Sequence, residues 1–456
     1  RGGPRLAGPA MSKAGMSVAF VGPEGAGKTT VMGHLCRSLS GFPEEELSAC
    51  ASLVKEMGRP HAKDAWMLDR LAEERELGHT VAATLRGFQS SGFSYTAIDT
   101  PGREDFCTNL ISTTSMADIA ALVVPAVKEE FEAGVDSGRI FQLALACFTM
   151  GIKNIAVIVS KMDHPSVDYD SARYEEIKKQ VGGFLKEVGY KGKEVPFVPV
   201  SGLSGDNLTT KSAQSAWYGG KALIDTLDEM GPINRPAEKP LRMPVLRVQE
   251  VSGAGVVITG RLETGALRSG IKLKFCPGGQ EAEVASVWKD GVQVSDAKGG
   301  DIVTVALGDG VEADDVRRGS VASSAGEKSD PAVETESFLA QVMVLDHPGA
   351  IRAGYCPSIA VHTAQIPCEF ERLVAKIDRK TGKDSEVNPE KAKTGDAVTV
   401  RIRPRGHVCI EAFSAFPSLG RFAVRDHGRT VAVGVVKEVT KRSLPKARKE
   451  NSYHDG

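Results

Sequence analysis

The chain has 456 residues, a length that predicts two to four domains at about 100–200 residues each. It carries 57 Lys and Arg against 58 Asp and Glu, and its formal net charge of -1 excludes a globally basic nucleic-acid binder, although not a local basic face. A hydrophobic content of 41% and a charged content of 25% are typical of a soluble globular protein, and no apolar run reaches the ~20 residues of a membrane span.

The eight cysteines are scattered singly and form no C-x-x-C pair. This spacing argues against a zinc site or a disulfide framework and makes a reducing compartment the expectation. Residues 1–15 are rich in Gly, Pro and Ala and lack the apolar core of a secretory signal, so we expect a disordered leader there, with Met11 as a candidate for the natural start.

From residue 16 to residue 238 short apolar runs alternate with amphipathic stretches, a pattern typical of a parallel or mixed sheet with helices on both faces. We therefore predict an α/β domain over 16–238. The predicted strands are Ser17–Val21, Tyr95–Asp99, Ile119–Pro125, Ile155–Ser160 and Pro196–Val200, and the clearest predicted helices are Thr29–Ser40 and Ala172–Val188.

Two changes in composition and hydrophobic pattern divide the rest of the chain. Three prolines between residues 231 and 240 indicate a stiff linker, after which short Val-rich alternating runs predict a β-barrel domain over 239–330. A polar break at residues 323–331 precedes a second β-rich block, predicted as another barrel over 331–440. Residues 441–456 are expected to be a basic flexible tail, either simply solvated or in contact with phosphate groups.

A phosphate-binding loop is predicted between the first strand and the first helix. Gly22-Pro23-Glu24-Gly25-Ala26-Gly27-Lys28-Thr29 fits the pattern G-x-x-x-x-G-K-[ST] in the strand-to-helix context that the pattern requires. The glycines allow backbone N–H groups to wrap phosphates at a helix N-terminus. Lys28 is expected to reach the β- and γ-phosphates, and Thr29 to bind Mg²⁺.

A second motif, Asp99-Thr100-Pro101-Gly102, follows the predicted strand that ends at Asp99. Asp99 is positioned to hold Mg²⁺ through water, and the Gly102 N–H to sense a γ-phosphate. Such a sequence is also an ordinary turn, but its place about 70 residues after the phosphate loop favours a nucleotide switch.

Two further loops predict which base is bound. Ser160-Lys161-Met162-Asp163 ends another strand, and an Asp at this place accepts two hydrogen bonds from guanine that adenine cannot donate. This favours GTP over ATP. Ser201-Gly202-Leu203 follows the strand after that and is expected to close over the base with backbone groups.

Other stretches in all three predicted domains carry a family pattern. They are Asp64-Ala65-Trp66-Met67-Leu68-Asp69 and Glu74-Arg75-Glu76 in the first, Lys239-Pro240-Leu241-Arg242-Met243-Pro244 and Thr259-Gly260-Arg261-Leu262-Glu263-Thr264-Gly265 in the second, and His347-Pro348-Gly349 and Gly420-Arg421-Phe422-Ala423-Val424-Arg425-Asp426 in the third. On these residues the chain resembles the eukaryotic elongation factor 1-alpha family of translational GTPases, from about residue 16 to residue 439.

The resemblance implies an α/β P-loop GTPase domain followed by two β-barrels. It implies that the protein binds GTP or GDP with Mg²⁺, delivers aminoacyl-tRNA to the ribosomal A site and hydrolyses GTP. It further implies that a guanine-nucleotide exchange factor acts on the protein, and that the protein is a monomer in the cytoplasm. It makes Thr80 the switch residue that joins Mg²⁺ and γ-phosphate. Candidate tRNA contacts, which are alternatively ordinary surface charges, are Lys376, Arg379, Lys380, Lys383, Arg421 and Arg425.

The sequence departs from the family pattern at residues of the predicted site of nucleotide binding and GTP hydrolysis. Arg103 stands where the family has the His that positions the attacking water, and a guanidinium cannot accept a proton at physiological pH. Loss of such a group typically costs about 10²–10⁴-fold in rate, unless Arg103 instead stabilises transition-state charge. Ser160 replaces a family Asn that ties loops together and contacts the base, and Leu77 and His79 replace Arg and Ile. Residues 138–142 replace a Gly-Gln-Thr-Arg-Glu stretch.

Two functions from different classes follow. The favoured hypothesis is an elongation factor that hydrolyses GTP on the ribosome. The alternative is a divergent paralogue that binds GTP and GDP, hydrolyses GTP poorly and acts as a nucleotide-dependent binding protein.

Overall fold

A computed structural model places most of the chain. It describes residues 13, 15–40, 44–58, 63–69, 74–75, 80, 83–102, 114, 116–191, 194–232, 238–253, 255–289, 291–308, 310–326, 329–345, 347–377, 384–427 and 429–442.

The first domain is a six-stranded sheet with helices on both faces. Its strands are β1 (Gly15–Val21), β2 (Thr84–Gln89), β3 (Ser94–Asp99), β4 (Ile119–Pro125), β5 (Asn154–Ser160) and β6 (Phe197–Pro199), in the spatial order β2-β3-β1-β4-β5-β6. All neighbours are parallel except β2, which runs antiparallel to β3. The described helices are α1 (Lys28–Ser40), α2 (Glu44–Glu56), α3 (Lys63–Trp66), α4 (Lys128–Asp136), α5 (Arg139–Thr149), α6 (Ser171–Val188) and α7 (Leu223–Glu229).

Strand β4 explains why the sheet lies in the middle of this domain. All seven of its residues are buried. Leu122 and Val124 pack into the apolar cluster on one face, whereas Ala121 and Val123 pack into the cluster on the other. Because successive side chains of a strand point to opposite faces, a continuous apolar run is what a sheet covered on both sides requires.

The second domain is a closed barrel. Its strands are β7 (Met243–Val251), β8 (Gly255–Arg261), β9 (Ala266–Arg268), β10 (Lys272–Cys276), β11 (Glu281–Lys289), β12 (Val292–Val294), β13 (Asp296–Lys298), β14 (Ile302–Leu307) and β15 (Val321–Ser324). Six of them form a ring in the order β10-β15-β7-β8-β14-β11, which closes because β10 also pairs with β11. Strand β12 pairs antiparallel with β11 outside the ring, and β9 pairs antiparallel with β13.

The third domain is a second closed barrel. Its strands are β16 (Thr335–Val344), β17 (Ser358–Val361), β18 (Ala364–Ile377), β19 (Asp384–Val387), β20 (Ala397–Pro404), β21 (Arg421–Asp426) and β22 (Arg429–Lys441). The ring runs β17-β21-β22-β16-β20-β18 and closes through the pairing of β17 with β18. The predicted fold class, an α/β domain followed by two β-barrels, is confirmed.

The predicted domain boundaries stay predictions. The boundary at 238/239 lies between α7 and β7, and the boundary at 330/331 lies between β15 and β16. Strand β1 already begins at Gly15, the last residue of the predicted leader, and β22 ends at Lys441, the first residue of the predicted tail. Apart from Lys13 and Arg442, the rest of the leader and of the tail lies outside the described residues.

An arginine of each barrel lies against the first domain. Arg261 on β8 forms an ion pair with Asp118, whose other carboxylate oxygen accepts hydrogen bonds from the backbone and side chain of Ser17 (both 2.9 Å). On the third domain, Arg421 lies against Gly151, where an added Cβ would be only 1.8 Å from its Nη1.

Among the described helices, none combines the length and apolar character that a membrane span needs.

We expect acid sensitivity from His362, which is buried directly after β17 with its Nε2 3.0 Å from the Cys409 carbonyl oxygen. Burial lowers the pKa of His362 from 6.5 to about 4, against the opposing effect of that hydrogen bond. Below pH 6.5 the unfolded chain therefore binds a proton that the folded chain refuses, so stability falls as the pH falls towards 4.

The contribution of His362 to the free energy of unfolding should fall by about 2 kcal/mol between pH 7 and pH 5. Asn tolerates the left-handed backbone of this residue (φ 40°) and does not titrate there. Urea unfolding of the wild type and His362→Asn at both pH values measures the difference. An equal loss of stability in both proteins would contradict the assignment.

Candidate functional site

The phosphate loop connects β1 to α1 in a shape that requires glycine. Gly25 and Gly27 have left-handed backbones (φ 74° and 86°), and a Cβ on Gly22 would lie 2.4 Å from the Val123 carbonyl oxygen. Pro23 and Ala26 are buried, whereas Glu24 is exposed. Helix α1 begins at Lys28, so the unpaired N–H groups of its first turn lie at the loop.

Lys28 is a buried cation at the centre of this loop. Its Nζ donates to the Pro23 carbonyl oxygen at 2.9 Å. Burial lowers the pKa of Lys28 to about 8, an effect that Asp99 opposes and Arg139 reinforces. A desolvated ammonium of this kind interacts more strongly with an anion than an exposed one, because water screens it less.

Three oxygen-bearing side chains converge beside Lys28. Thr29 Oγ1 donates to Asp99 Oδ2 at 2.8 Å, and Thr80 Oγ1 lies 3.0 Å from Thr29 Oγ1 and 3.3 Å from Asp99 Oδ2. Asp99 Oδ1 is buried and has no hydrogen-bond partner within the described part of the chain. Burial raises the pKa of Asp99 to about 6, with Lys28 acting in the opposite direction. An orphaned carboxylate oxygen beside two hydroxyls fits a hard divalent cation such as Mg²⁺.

A further carboxylate extends this cluster. Asp69 Oδ1 lies 3.4 Å from Thr80 Oγ1. Burial, together with the nearby charges of Asp99 and Glu74, raises the pKa of Asp69 to about 7. Sequence reasoning did not assign Asp69 to the site, and its place in a family stretch was the only signal.

The second motif lies directly over the phosphate loop. Thr100 Oγ1 donates to the Phe20 carbonyl oxygen at 2.7 Å and ties the end of β3 to β1, and buried Pro101 follows. A Cβ on Gly102 would lie 2.9 Å from the backbone nitrogen and Cα of Glu24, so a larger residue would displace the phosphate loop. Arg103, Leu77 and His79, where the sequence departs from the family, lie outside the described residues.

Ser160 performs the loop-tying part of the role predicted for the family Asn. It is buried at the end of β5, and its Oγ lies 2.6 Å from the Ala26 carbonyl oxygen and 3.2 Å from that of Val124. The shorter side chain therefore still links the base loop to the phosphate loop. The next residue, Lys161, has a left-handed backbone (φ 60°) and an ion pair with Glu130 at 2.7 Å. Buried Met162 and half-buried Asp163 follow.

The third loop lies beside these residues after β6. Ser201 is buried and accepts a hydrogen bond from the Ser204 N–H at 3.0 Å, while Leu203 is 49% exposed. The Gly202 carbonyl oxygen lies 3.0 Å from Nδ1 of His34 on α1. This link between the phosphate-loop helix and the base loop was not predicted, because no local sequence signal joins residues so far apart.

Two of the candidate tRNA contacts are not exposed cations. Arg425 is only 8% exposed, and the Arg421 guanidinium stacks on Phe413 at 4.8 Å, where burial lowers its pKa. Lys376 pairs with Glu386 and Asp396 at 3.3 and 3.5 Å. Arg379, Lys380 and Lys383 lie outside the described residues. Arg425 is therefore buried rather than a surface cation, whereas Arg421 and Lys376 stay predicted candidates for contact with tRNA.

Two family patterns match the chain. The pattern described as "Elongation factor Tu GTP binding domain" matches residues 13–233, and "GTP-eEF1A C-terminal domain-like" matches residues 337–437. Elongation factor 1-alpha from Tetrahymena pyriformis is 42% identical to this chain, and the match covers 94% of this chain and 98% of the relative. Elongation factor 1-alpha from Entamoeba histolytica is 44% identical, and the match covers 94% of this chain and 97% of the relative. The chain belongs to the elongation factor 1-alpha family. It is thus a translational GTPase that binds guanine nucleotides.

Solved structures agree with this family fold. The GTPase-like domain of Ski7 from S. cerevisiae, bound to GDP and inorganic phosphate, matches with a TM-score of 0.77 and 16% identity over 93% of this chain and 97% of Ski7's. Elongation factor SelB from Methanococcus maripaludis matches with a TM-score of 0.67 and 18% identity, over 95% of this chain and 81% of the SelB chain. Elongation factor 1-alpha relatives that align over nearly the whole chain favour the elongation function over that of a binding-only paralogue.

Proposed function

We propose that this protein, in its GTP-bound form, delivers aminoacyl-tRNA to the ribosomal A site and releases it after hydrolysis. The observation that carries the proposal is identity of 42–44% with elongation factors 1-alpha across 94% of the chain, which includes both barrels as well as the nucleotide site. We further propose a cytoplasmic monomer that is reloaded with GTP by a guanine-nucleotide exchange factor.

The phosphate end of the site is proposed to work through the residues that surround Lys28. The backbone of residues 22–27 cradles the phosphates, and Lys28 contacts the β- and γ-phosphates. Thr29, Thr80 and Asp99, the last through water, are proposed to hold Mg²⁺, which neutralises phosphate charge when it is bound. The hydroxyl distances of 2.8–3.3 Å to Asp99 support this assignment.

The second motif and the two base loops are proposed to complete the nucleotide site. Thr100 and Pro101 carry the chain to Gly102, whose N–H senses the γ-phosphate. Asp163 reads the guanine edge, and the backbone of residues 160–162 and 201–203 encloses the base.

Single-turnover GTP hydrolysis, with and without ribosomes and aminoacyl-tRNA, tests the proposed function. The GTP form should bind aminoacyl-tRNA more tightly than the GDP form, and programmed ribosomes should accelerate hydrolysis. Equal affinity of both forms for aminoacyl-tRNA, or no effect of ribosomes, would contradict the proposal.

Arg103 is proposed to limit hydrolysis, because it stands at the place of a water-positioning His. Arg103→His should raise the ribosome-stimulated rate by at least about 10²-fold, the low end of what such a group contributes. Arg103→Ala is the matched control, since it removes the cation without restoring a proton acceptor. No increase in the His variant would reject this cause, and a fall in the Ala variant would instead assign charge stabilisation to Arg103.

A further inference from the structure

Arg139 lies next to the phosphate end of the site, although it is far from every nucleotide motif in the sequence. It is the first residue of α5 and follows Gly138, whose left-handed backbone (φ 68°) turns the chain out of α4. Its Nη2 donates to the carbonyl oxygen of Gly102 at 3.1 Å, and the side chain is half-buried.

Gly102 lies between Arg139 and the phosphate loop. An added Cβ on Gly102 would lie 2.6 Å from Lys28 Nζ and 2.9 Å from the Glu24 backbone nitrogen. Gly102 therefore lies against the phosphate loop, and its carbonyl oxygen accepts the hydrogen bond from Arg139. The positive charge of Arg139 also contributes to the lowered pKa of Lys28, which places the guanidinium within electrostatic reach of that ammonium.

The backbone that carries Arg139 is held firmly beside the phosphate loop. Its neighbour Ile140 is fully buried, and a Cβ on Gly134 of α4 would lie 3.2 Å from Ile140 and 3.7 Å from Pro23. Helix α4, the first turn of α5 and the phosphate loop thus lie close together. A guanidinium on such a base is pre-organised and loses little conformational freedom when it holds a partner.

We propose that Arg139 is a positioning residue for the γ-phosphate: it holds the Gly102 peptide over the phosphate loop and adds a positive charge that offsets the exposed Glu24. This rests on the proposed nucleotide site. GDP has no γ-phosphate for Gly102 to contact, so Arg139 favours GTP over GDP rather than strengthening the binding of both. The first turn of α5 thereby becomes part of the switch.

The ratio of the affinities for a non-hydrolysable GTP analogue and for GDP, titrated with Mg²⁺, measures this effect. Arg139→Ala should weaken the analogue about tenfold, the effect of losing one hydrogen bond from a charged group, and leave GDP within about twofold. Arg139→Lys keeps the charge but not the planar fork and should give an intermediate ratio.

Arg173→Ala is the matched control, because Arg173 is also a half-buried arginine that donates to a backbone carbonyl, that of Ala126 at 2.9 Å. It should leave the ratio unchanged. Equal weakening of both nucleotides by Arg139→Ala, or no change in either, would overturn the inference. If Arg139→Ala fails to fold, Arg139→Lys replaces it in the test. A ratio of analogue to GDP affinity equal to that of the wild type would then overturn the inference. A wild type that binds neither guanine nucleotide would contradict the proposed site instead.

Discussion

Replacing Asp163 by Asn should weaken GTP binding by at least about 10²-fold and shift the preference of the protein towards XTP. The carboxylate accepts hydrogen bonds from guanine N1–H and from the exocyclic amine, and each bond to a charged group contributes about 1.5–3 kcal/mol. The Asn amide accepts the first of these but turns its own NH₂ towards the amine. Xanthine carries a carbonyl oxygen in place of that amine, so it pairs with Asn.

The backbone before Asp163 is fixed on both sides, which is why a single side chain decides the base. The Met162 N–H donates to the Val200 carbonyl oxygen at 3.2 Å, and the Met162 carbonyl oxygen accepts from the Tyr169 N–H at 2.9 Å. Lys161 is held in a left-handed conformation. A ligand group with so little freedom discriminates strongly, since an incorrect base leaves it unpaired.

Asp168→Asn is the control, because Asp168 lies in the same loop, is exposed and has a left-handed backbone that Asn tolerates. It should change neither affinity by more than about twofold. Competition titrations with GTP, XTP and ATP measure the preference. If Asp163→Asn keeps the preference for GTP over XTP, then Asp163 does not read the base.

Local patterns predicted most of the first domain. Strand β4 and the phosphate loop each follow from one contiguous stretch, because a buried strand needs an apolar run and a phosphate loop needs glycines at fixed places. The edge strand β2 was not predicted, since five of its six residues are partly or largely exposed and include a glycine. Its position depends on pairing with β3, and pairing between strands leaves no local signal.

The site was predicted as far as its motifs extend. Asp69, His34 and Arg139 were missed because each reaches the site from another part of the chain: from the stretch that begins at α3, from the side of α1 and from the start of α5. The burial of Arg425 was missed for the opposite reason. Arginine is mostly an exposed residue, and no local pattern around Arg425 signals that it is buried.

The same limit applies to Arg242, which is 0% exposed and joins the two barrels. Its Nε and Nη2 lie 3.3 and 3.1 Å from Glu411 Oε1. Its Nη1 donates to the carbonyl oxygens of Leu241 and Asp330 at 3.1 and 2.7 Å, and Nη2 lies 3.0 Å from Asp330 Oδ2. The guanidinium also stacks on Phe416 at 4.4 Å. A buried arginine is tolerated only where its donors are satisfied in this way.

Arg242→Ala should lower the free energy of unfolding by about 3–5 kcal/mol, because it leaves the Glu411 carboxylate buried without its main partner. Lys441, whose Nζ is 3.7 Å from Glu411 Oε2, is the remaining cation beside it among the described residues. Urea unfolding followed by circular dichroism measures the loss. Arg268→Ala, at an exposed arginine of β9 in the second barrel, is the control and should stay within about 0.5 kcal/mol of the wild type.

The double variant Arg242→Met with Glu411→Met separates a buried-charge effect from a packing effect. If the loss comes from the stranded carboxylate, removing it should recover most of the stability, because paired apolar residues often replace a buried ion pair at little cost. If the double variant is as unstable as the single one, the contacts to Phe416 and to the two carbonyl oxygens stabilise the interface instead. The affinity for GDP should stay within about twofold throughout, since neither residue lies in the first domain.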